Sequence, residues 1–336
     1  GDGGRTGGTV MSDLKDKKFG FLGWGAIGFP ICHGLVKSGY TVYLPVYRRK
    51  SAQRHGFSGL VPDEKSKTEA IDWMLGNGGI AAASQRELLE NSDILVFSLP
   101  KSQQVEEVVL GKDGVMEVCK PGTIIIDMTS ADAVSTKKLA ALLEKKGIEL
   151  LDAPVSGGTS GAAAQTLTIM CGGKEDTFLA VKPVLDVMGA PDKVTYMGPN
   201  GSGDMIKCAN NFLSACCAAA TTEAVAVCAK AGIDPHLAVQ VIGTSGGTNH
   251  AATMKFPNIV FPGKNWNFSL GLMSKDVGLF NSASKDMGIP SLFGNLTAQI
   301  LAIPKAEEGD DADCIQVQKL YERWAKVELC GIDNEK

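Results

Sequence analysis

The feature that most constrains this chain is a short apolar strand that runs directly into a glycine-patterned turn and then a helix. Phe19–Leu22 is apolar, Gly23-Trp24-Gly25-Ala26-Ile27-Gly28 follows it, and Ile27–Ser38 keeps helical periodicity until Gly39. Such a turn needs its first glycine for the tight bend and its second so that the backbone can approach a pyrophosphate. The third lets the helix pack closely on its strand. The start of the helix then offers unpaired N–H groups to phosphate oxygens. The GxGxxG spacing alone is a weak signal, and a glycine-rich turn of a flavodoxin-like fold is the competing reading.

The same alternation continues along the chain. Thr41–Leu44, Ile94–Leu99, Thr123–Met128 and Glu149–Ala153 read as strands, with Ser84–Glu90 and Ser135–Lys146 as helices among them. Leu167–Cys171 and Lys193–Tyr196 add the last strands. Short apolar strands separated by helices predict a parallel sheet with helices on both faces. After Gly198 the strand signals stop, and Ala-, Leu- and Val-rich helices run to about Leu329. The first of them, about Asp204 to Ala231, would span roughly 42 Å. The predicted fold class is α/β, with an N-terminal Rossmann-type doubly wound domain over residues 17–197. An all-helical domain for substrate binding and oligomerisation follows over residues 198–330, joined by that long helix. Lys50 to Asn77 is longer and more polar than the usual link after a second strand, and part of it reads as an insertion. Residues 1–10, GDGGRTGGTV, precede Met11, lack the apolar core of a signal peptide and are expected to be a vector-derived scar.

Bulk properties exclude several classes of function. A net charge of −4 over 336 residues gives no basic stripe for nucleic acid. No uninterrupted apolar run reaches the ~20 residues of a membrane span. The nearest, around Ala215 to Ala229, is broken by Thr221, Thr222 and Glu223 and reads as a buried core helix. The nine cysteines are scattered, without CxxC or Cys/His ligand spacing. They predict free thiols, a reducing cytoplasm and no metal site.

Three further stretches carry chemistry. Roughly 20 residues past the glycine turn, an NAD-binding unit places an acid against the ribose 2′-hydroxyl. Here the window reads Tyr43-Leu44-Pro45-Val46-Tyr47-Arg48-Arg49, with two guanidiniums and no acid. Arginine suits a 2′-phosphate, so NADP is favoured with NAD as the alternative; a solvated loop face would also explain the pair. Asp152-Ala153-Pro154-Val155-Ser156-Gly157-Gly158 places a hydroxyl beside bare backbone amides, which can grip a carboxylate or serve only as a turn. Gly198-Pro199-Asn200-Gly201-Ser202-Gly203 leads into the long helix, where Lys207 and Asn211 are four apart and share a face. A lysine in an apolar segment has its charged form disfavoured, which suits proton transfer near neutral pH.

In this order and spacing the three motifs resemble the β-hydroxyacid dehydrogenase family, which includes 3-hydroxyisobutyrate dehydrogenase, tartronate semialdehyde reductase and 2-(hydroxymethyl)glutarate dehydrogenase. The likeness runs from about Phe19 to Leu329. It implies an NAD(P)-dependent enzyme acting on a small β-hydroxy acid or its semialdehyde or keto form, with Lys207 as general acid/base. It further implies that Asn211 orients the substrate, with Asn210 as a lesser candidate, and that Ser156, Gly157 and Gly158 bind its carboxylate. Gly23, Gly25, Ala26, Ile27 and Gly28 would hold the cofactor's phosphates, with Arg48 and Arg49 at the ribose. Leu99, Pro100, Thr129 and Ser130 would border the cofactor, and Lys275 would close the site from the helical domain. Homodimers or homotetramers are expected. Where many relatives carry Ser-Gly-Arg, this chain reads Thr244-Ser245-Gly246-Gly247-Thr248-Asn249-His250, so an uncharged or short polar substrate tail is expected there. A non-catalytic dinucleotide-binding relative and an imine reductase are the alternatives, and Lys207 disfavours the latter. Among the histidines, His250 alone lies on the expected substrate loop.

Overall fold

Phe19 and Phe21 point to one face of a strand and Leu22 to the other, and both faces are buried. That single strand forces the layered architecture, because apolar residues alternating to opposite sides need cover on each side. The computed structural model describes residues 14–48 and 64–335. The chain divides into two compact units, one ending at Asp204 and the other beginning at Met205.

The first unit opens with β1 (Lys18–Leu22), α1 (Gly28–Lys37) and β2 (Thr41–Leu44), followed by a 3₁₀ turn (Val46–Arg48). It continues through α2 (Glu64–Gly76), β3 (Gly79–Ala81), α3 (Gln85–Glu90), β4 (Ile94–Phe97), α4 (Ser102–Leu110) and α5 (Val115–Val118). Then come β5 (Ile124–Asp127), α6 (Ala133–Glu144), β6 (Glu149–Asp152), β7 (Val155–Ser156) and α7 (Gly158–Ala164). The unit's last strands are β8 (Leu167–Gly172) and β9 (Gly189–Gly198), with α8 (Glu175–Met188) between them.

The sheet order is β3-β2-β1-β4-β5-β6-β8-β7, with β9 beside β8. The six strands from β3 to β6 are parallel, in the 3-2-1-4-5-6 order of a doubly wound dinucleotide fold. Ile94, Val96, Ile126 and Leu151 join Phe19 and Phe21 under α1 and α8, whereas Leu95, Phe97, Ile125 and Leu150 pack on the opposite face. Each such fully buried side chain contributes ~1.5–3 kcal/mol. The parallel expectation fails at β8, which runs antiparallel to β6 and β7. Only residues 157–166 separate β7 from β8, fewer than a parallel crossover needs.

The supposed insertion is also corrected in part. Its second half is α2, and the chain continues directly into β3, which pairs Val42 with Gly79 and Leu44 with Ala81. This is an ordinary crossover, disguised because α2 is polar apart from core residues such as Ile71 and Met74. Residues 49–63 lie outside the described residues.

The second unit is helical. Helix α9 (Ser202–Lys230) starts at the end of the first unit and supplies most of its length to the second, followed by α10 (Pro235–Gly243) and a π-helix (Ala251–Val260). The remaining helices are α11 (Leu270–Asp286), α12 (Leu292–Glu308) and α13 (Gln316–Ala325). Among the described residues, α9 alone is long and apolar enough to cross a membrane by length and composition, a point the sequence reading missed. Its packing is that of a core helix. Ala215 and Ala219 meet Leu270, Met273, Val277 and Leu301, while Val225 and Ala226 meet Val239, Phe256 and Val260. Its buried Thr222 hydroxyl donates to Ala218 O and accepts from Gln318.

Three buried acids gather at the carboxyl end of the sheet. Asp152, the last residue of β6, accepts the amides of Gly201 (2.8 Å), Gly203 (2.9 Å) and Asp204 (3.2 Å), where α9 begins. Asp204 accepts from Ala131 N and from the Thr136 hydroxyl. Asp127 accepts from Thr129 N. Burial pushes all three carboxyls above the ordinary range, and Asp127 reaches about 7. A folded-state value above the unfolded one means that stability is fully present at low pH and declines as pH rises through the folded value. For Asp127 that window runs from its ordinary 3.8 to about 7. Asp127→Asn is therefore expected to flatten the fall in melting temperature between about pH 4 and 7; a curve of unchanged slope would exclude Asp127 as a source.

Candidate active site

The glycine turn is built as the spacing requires. Gly23 has φ +104°, and a side chain there would fall on the Ser98 carbonyl of the neighbouring β4 end. A side chain on Gly28 would fall on the Gly23 carbonyl, so the first turn of α1 sits tightly on its own loop. Gly25 is different: nothing lies within 4 Å of where its Cβ would stand. Its lack of a side chain serves no packing need of the protein, and the open space is what a close-lying pyrophosphate requires. The loop closes through Phe29 N donating to Gly25 O (3.0 Å), and Ile27 caps α1 with Ala26 just before it. These residues stand at the β1/β4 switch of strand order, where doubly wound sheets bind nucleotides.

Leu99 and Pro100 follow β4 at that same edge, and Thr129 and Ser130 follow β5. The Leu99 amide donates to Thr129 Oγ1 (3.1 Å), while Thr129 N donates to Asp127 (3.0 Å). Thr129 is buried, and its hydroxyl also bonds the Asp127 carboxyl. Thr129 thus ties two loops together as well as standing at the edge. After β2 the backbone of Arg48 ends the 3₁₀ turn, and Arg49 lies outside the described residues.

In the second motif Ser156 is half-buried in β7 opposite Thr168, and Gly157 and Gly158 are exposed at the start of α7. Both take positive φ, +130° and +64°, and nothing crowds the Cβ position of Gly158. Asp152 of the same motif is not part of this surface, since its carboxylate is committed to the start of α9. That role was not legible in the motif, because the amides it serves lie about 50 positions later.

On α9 Lys207 and Asn211 are both buried, at 7% and 6% exposure. Asn211 Nδ2 donates to Asp276 Oδ2 (2.5 Å), and Asn210 donates to Asn211 Oδ1 (3.3 Å). A carboxylate only accepts, so Asp276 settles which end of the Asn211 amide faces it. Lys275 pairs with Asp276 at 3.1 Å. Burial lowers the Lys207 pKa, and the negative charge of Asp276 partly offsets the shift. Lys207, Asn211, Lys275 and Asp276 therefore form one cluster of interacting polar groups. Sequence reading missed Asp276, although it follows Lys275 directly.

Other candidates take structural positions. Asn249 accepts from Ala251 N and Ala252 N, shares a hydrogen bond with Thr221, and donates to Gly247 O. It holds the loop and the π-helix start, with its acceptor oxygen fully engaged. His250 sits at the π-helix N-cap with its pKa lowered by burial. His33 packs on Trp73, and His236 lies between Asp234 and Asp333. Among the described residues no His/Cys/Asp/Glu group could hold a metal, and all nine cysteines are free.

The geometry has counterparts among known proteins. A family model for the NAD binding domain of 6-phosphogluconate dehydrogenase matches residues 18–198. A second, for the NAD-binding region of NADP-dependent 3-hydroxyisobutyrate dehydrogenase, matches residues 201–321. The chain is 35% identical to 2-(hydroxymethyl)glutarate dehydrogenase of Eubacterium barkeri, over 94% of its own length and 99% of the relative's. It is 31% identical to the NAD-dependent L-serine dehydrogenase of Pseudomonas aeruginosa, over 91% and 98%. The solved structure of Mycobacterium tuberculosis 3-hydroxyisobutyrate dehydrogenase with L-serine superposes with a TM-score of 0.75 at 28% identity, covering 90% of this chain and 98% of that one. Matched by these models over both units, and at this identity to relatives of nearly the same length, the chain belongs to the β-hydroxyacid dehydrogenase family of NAD(P)-dependent oxidoreductases.

Proposed function

We propose that this enzyme moves a hydride between NADP and the hydroxyl-bearing carbon of a small β-hydroxy carboxylic acid, or its semialdehyde or keto form, with Lys207 as general acid/base. The observation that carries the reading is the buried Lys207 amine beside an amide whose orientation Asp276 dictates. The Gly23–Gly28 turn would hold the dinucleotide's pyrophosphate, and the bound nicotinamide would supply the hydride chemistry. The proton belongs to the protein. In oxidation, neutral Lys207 Nζ takes it from the substrate hydroxyl; in reduction, the ammonium returns it to the carbonyl oxygen. Asn211, held on Asp276, keeps its second N–H for that oxygen. The Ser156 hydroxyl with the Gly157 and Gly158 amides receives the substrate carboxylate. An intact lysine cluster favours this chemistry over a non-catalytic dinucleotide-binding role and over imine reduction.

Arg48 and Arg49 fall in the stretch of sequence where an NAD-binding unit would carry an acid, which supports NADP as the preferred cofactor. The second unit bears Met287, Ile289, Leu292, Phe293 and Leu296 at the α11–α12 turn, each at least 58% exposed. An apolar patch of this kind supports a homodimer or homotetramer built through that unit. Nine free thiols suit a reducing cytoplasm.

Lys207→Met is expected to lower kcat by at least ~10²-fold with cofactor affinity nearly unchanged. Removing the negative charge in Asp276→Asn should lower the Lys207 pKa further, moving the acid limb of hydroxyacid oxidation to lower pH. Steady-state pH profiles with a panel of β-hydroxy acids check both, and near-normal turnover in Lys207→Met would remove that residue from the mechanism.

Cofactor titration should show NADP binding more tightly than NAD, with the preference narrowed in the Arg48→Ala/Arg49→Ala double variant; tighter binding of NAD by the unaltered enzyme contradicts the assignment. Sedimentation equilibrium should return two or four times the chain mass, and Phe293→Asp with Leu296→Asp should shift it toward one. A monomer at micromolar concentration refutes the oligomer.

A further inference from the structure

The second unit holds another buried lysine, which the acid/base cluster does not use. Lys255 lies on the π-helix at 8% exposure. Its Nζ donates to Ser214 Oγ (2.9 Å) and stands 3.4 Å above the Trp266 ring. A buried ammonium ordinarily has an ionised partner. Among the described residues Lys255 forms no ion pair. Asp313 acts on it only at longer range, and its carboxylate already accepts the amides of Trp266, Asn267, Phe268 and Ile315. The neighbouring Cys217 and Cys314 thiols are pushed up by burial and stay neutral at pH 7. Burial brings Lys255 itself down to about 8, so most molecules carry its charge at pH 7.

The cluster is rich in donors and poor in acceptors. An ammonium has three N–H groups, and a tryptophan ring nitrogen only donates. Trp266 Nε1 is buried with no acceptor among the described residues. Such a set fits an anion. The position of Ser214 on α9 suggests which one. Lys207, Asn211 and Ser214 follow i, i+4, i+7 spacing and so share one helix face. Ser214 is about 4.5 Å along the axis from Asn211. Four extended carbon–carbon bonds reach roughly 5 Å.

We infer that Lys255, with Ser214 and Trp266, forms a subsite for a second carboxylate at the far end of the substrate, so that the substrate class is a β-hydroxy dicarboxylate. This rests on the reading that Lys207 and Asn211 hold the reacting oxygen. It replaces the expectation of an uncharged tail, which looked for a cation in the Thr244–His250 loop. The cation comes instead from the helix after that loop, while Asn249 is engaged in holding it.

The test compares 2-(hydroxymethyl)glutarate with 2-(hydroxymethyl)pentanoate, which has a methyl in place of the far carboxylate. With NADP or NAD, the unaltered enzyme should favour the dicarboxylate in kcat/KM by at least about tenfold, the usual weight of a charged hydrogen bond. Lys255→Met should abolish that preference through KM, with a loss at least about tenfold larger for the dicarboxylate, and Lys255→Arg should keep part of it. Independently of any variant, glutarate should inhibit the unaltered enzyme at least about tenfold more tightly than pentanoate. Equal inhibition by the two acids, or equal losses on both substrates in Lys255→Met, overturns the subsite and leaves the dehydrogenase reading intact. Turnover of the pentanoate alone does the same. Turnover of neither acid also overturns the subsite, and the dehydrogenase reading then stands or falls on the panel of β-hydroxy acids.

Discussion

The Asp152 carboxylate, buried at the end of β6 and receiving three amides from the start of α9, is the constraint on which the rest depends. Helix starts carry unpaired N–H groups, and a carboxylate is the strongest acceptor a chain can offer them. By engaging those groups inside the first unit, Asp152 sets where the helix carrying Lys207 begins. Lys207 comes five residues into that helix and Asn211 nine, so the register of the first turn determines which residues share its face. Burial costs that carboxylate its ordinary acidity, and the amides partly offset the effect.

Burial does opposite chemical work on the acids and the lysines. At the sheet's carboxyl end, Asp127, Asp152 and Asp204 are raised because their charged forms lose water. At Lys207 the same loss favours the neutral amine, the form that can accept a proton from an alcohol, and Asp276 keeps the shift within bounds. Lys255 is shifted in the same direction but has a hydroxyl and an aromatic face as neighbours instead of a carboxylate. Burial lowers both lysines, and the roles proposed for them differ because Lys207 already has a carboxylate at hand whereas Lys255, among the described residues, has none and is left to meet one from a ligand.

The glycine turn shows how packing and binding divide one motif. Gly23 and Gly28 are glycines because the protein leaves no room for a side chain, and substitution there would strain the backbone whatever the ligand. Gly25 has room to spare, and the proposed pyrophosphate would use it. The same letters in the sequence thus answer two demands.

Strand positions, the glycine turn and the Lys207/Asn211 pair were legible in the residues themselves, because alternation, turn chemistry and i, i+4 spacing act over a few positions. α2 and β3 were hidden by a polar helix that buries few side chains, and β8 ran against expectation because the length of a connection, more than strand composition, decides direction. Asp276 meets Asn211 across 65 positions, Lys255 meets Ser214 across 41, and Asp152 meets Gly201 across 49. No local pattern encodes such pairings, since each depends on which buried donors and acceptors the packed helices leave facing one another. The sequence by itself determined the dinucleotide fold and singled out the lysine proposed to move the proton; the tertiary structure alone decided which carboxylate orients its partner amide, and which second cation lies within reach of the same helix face.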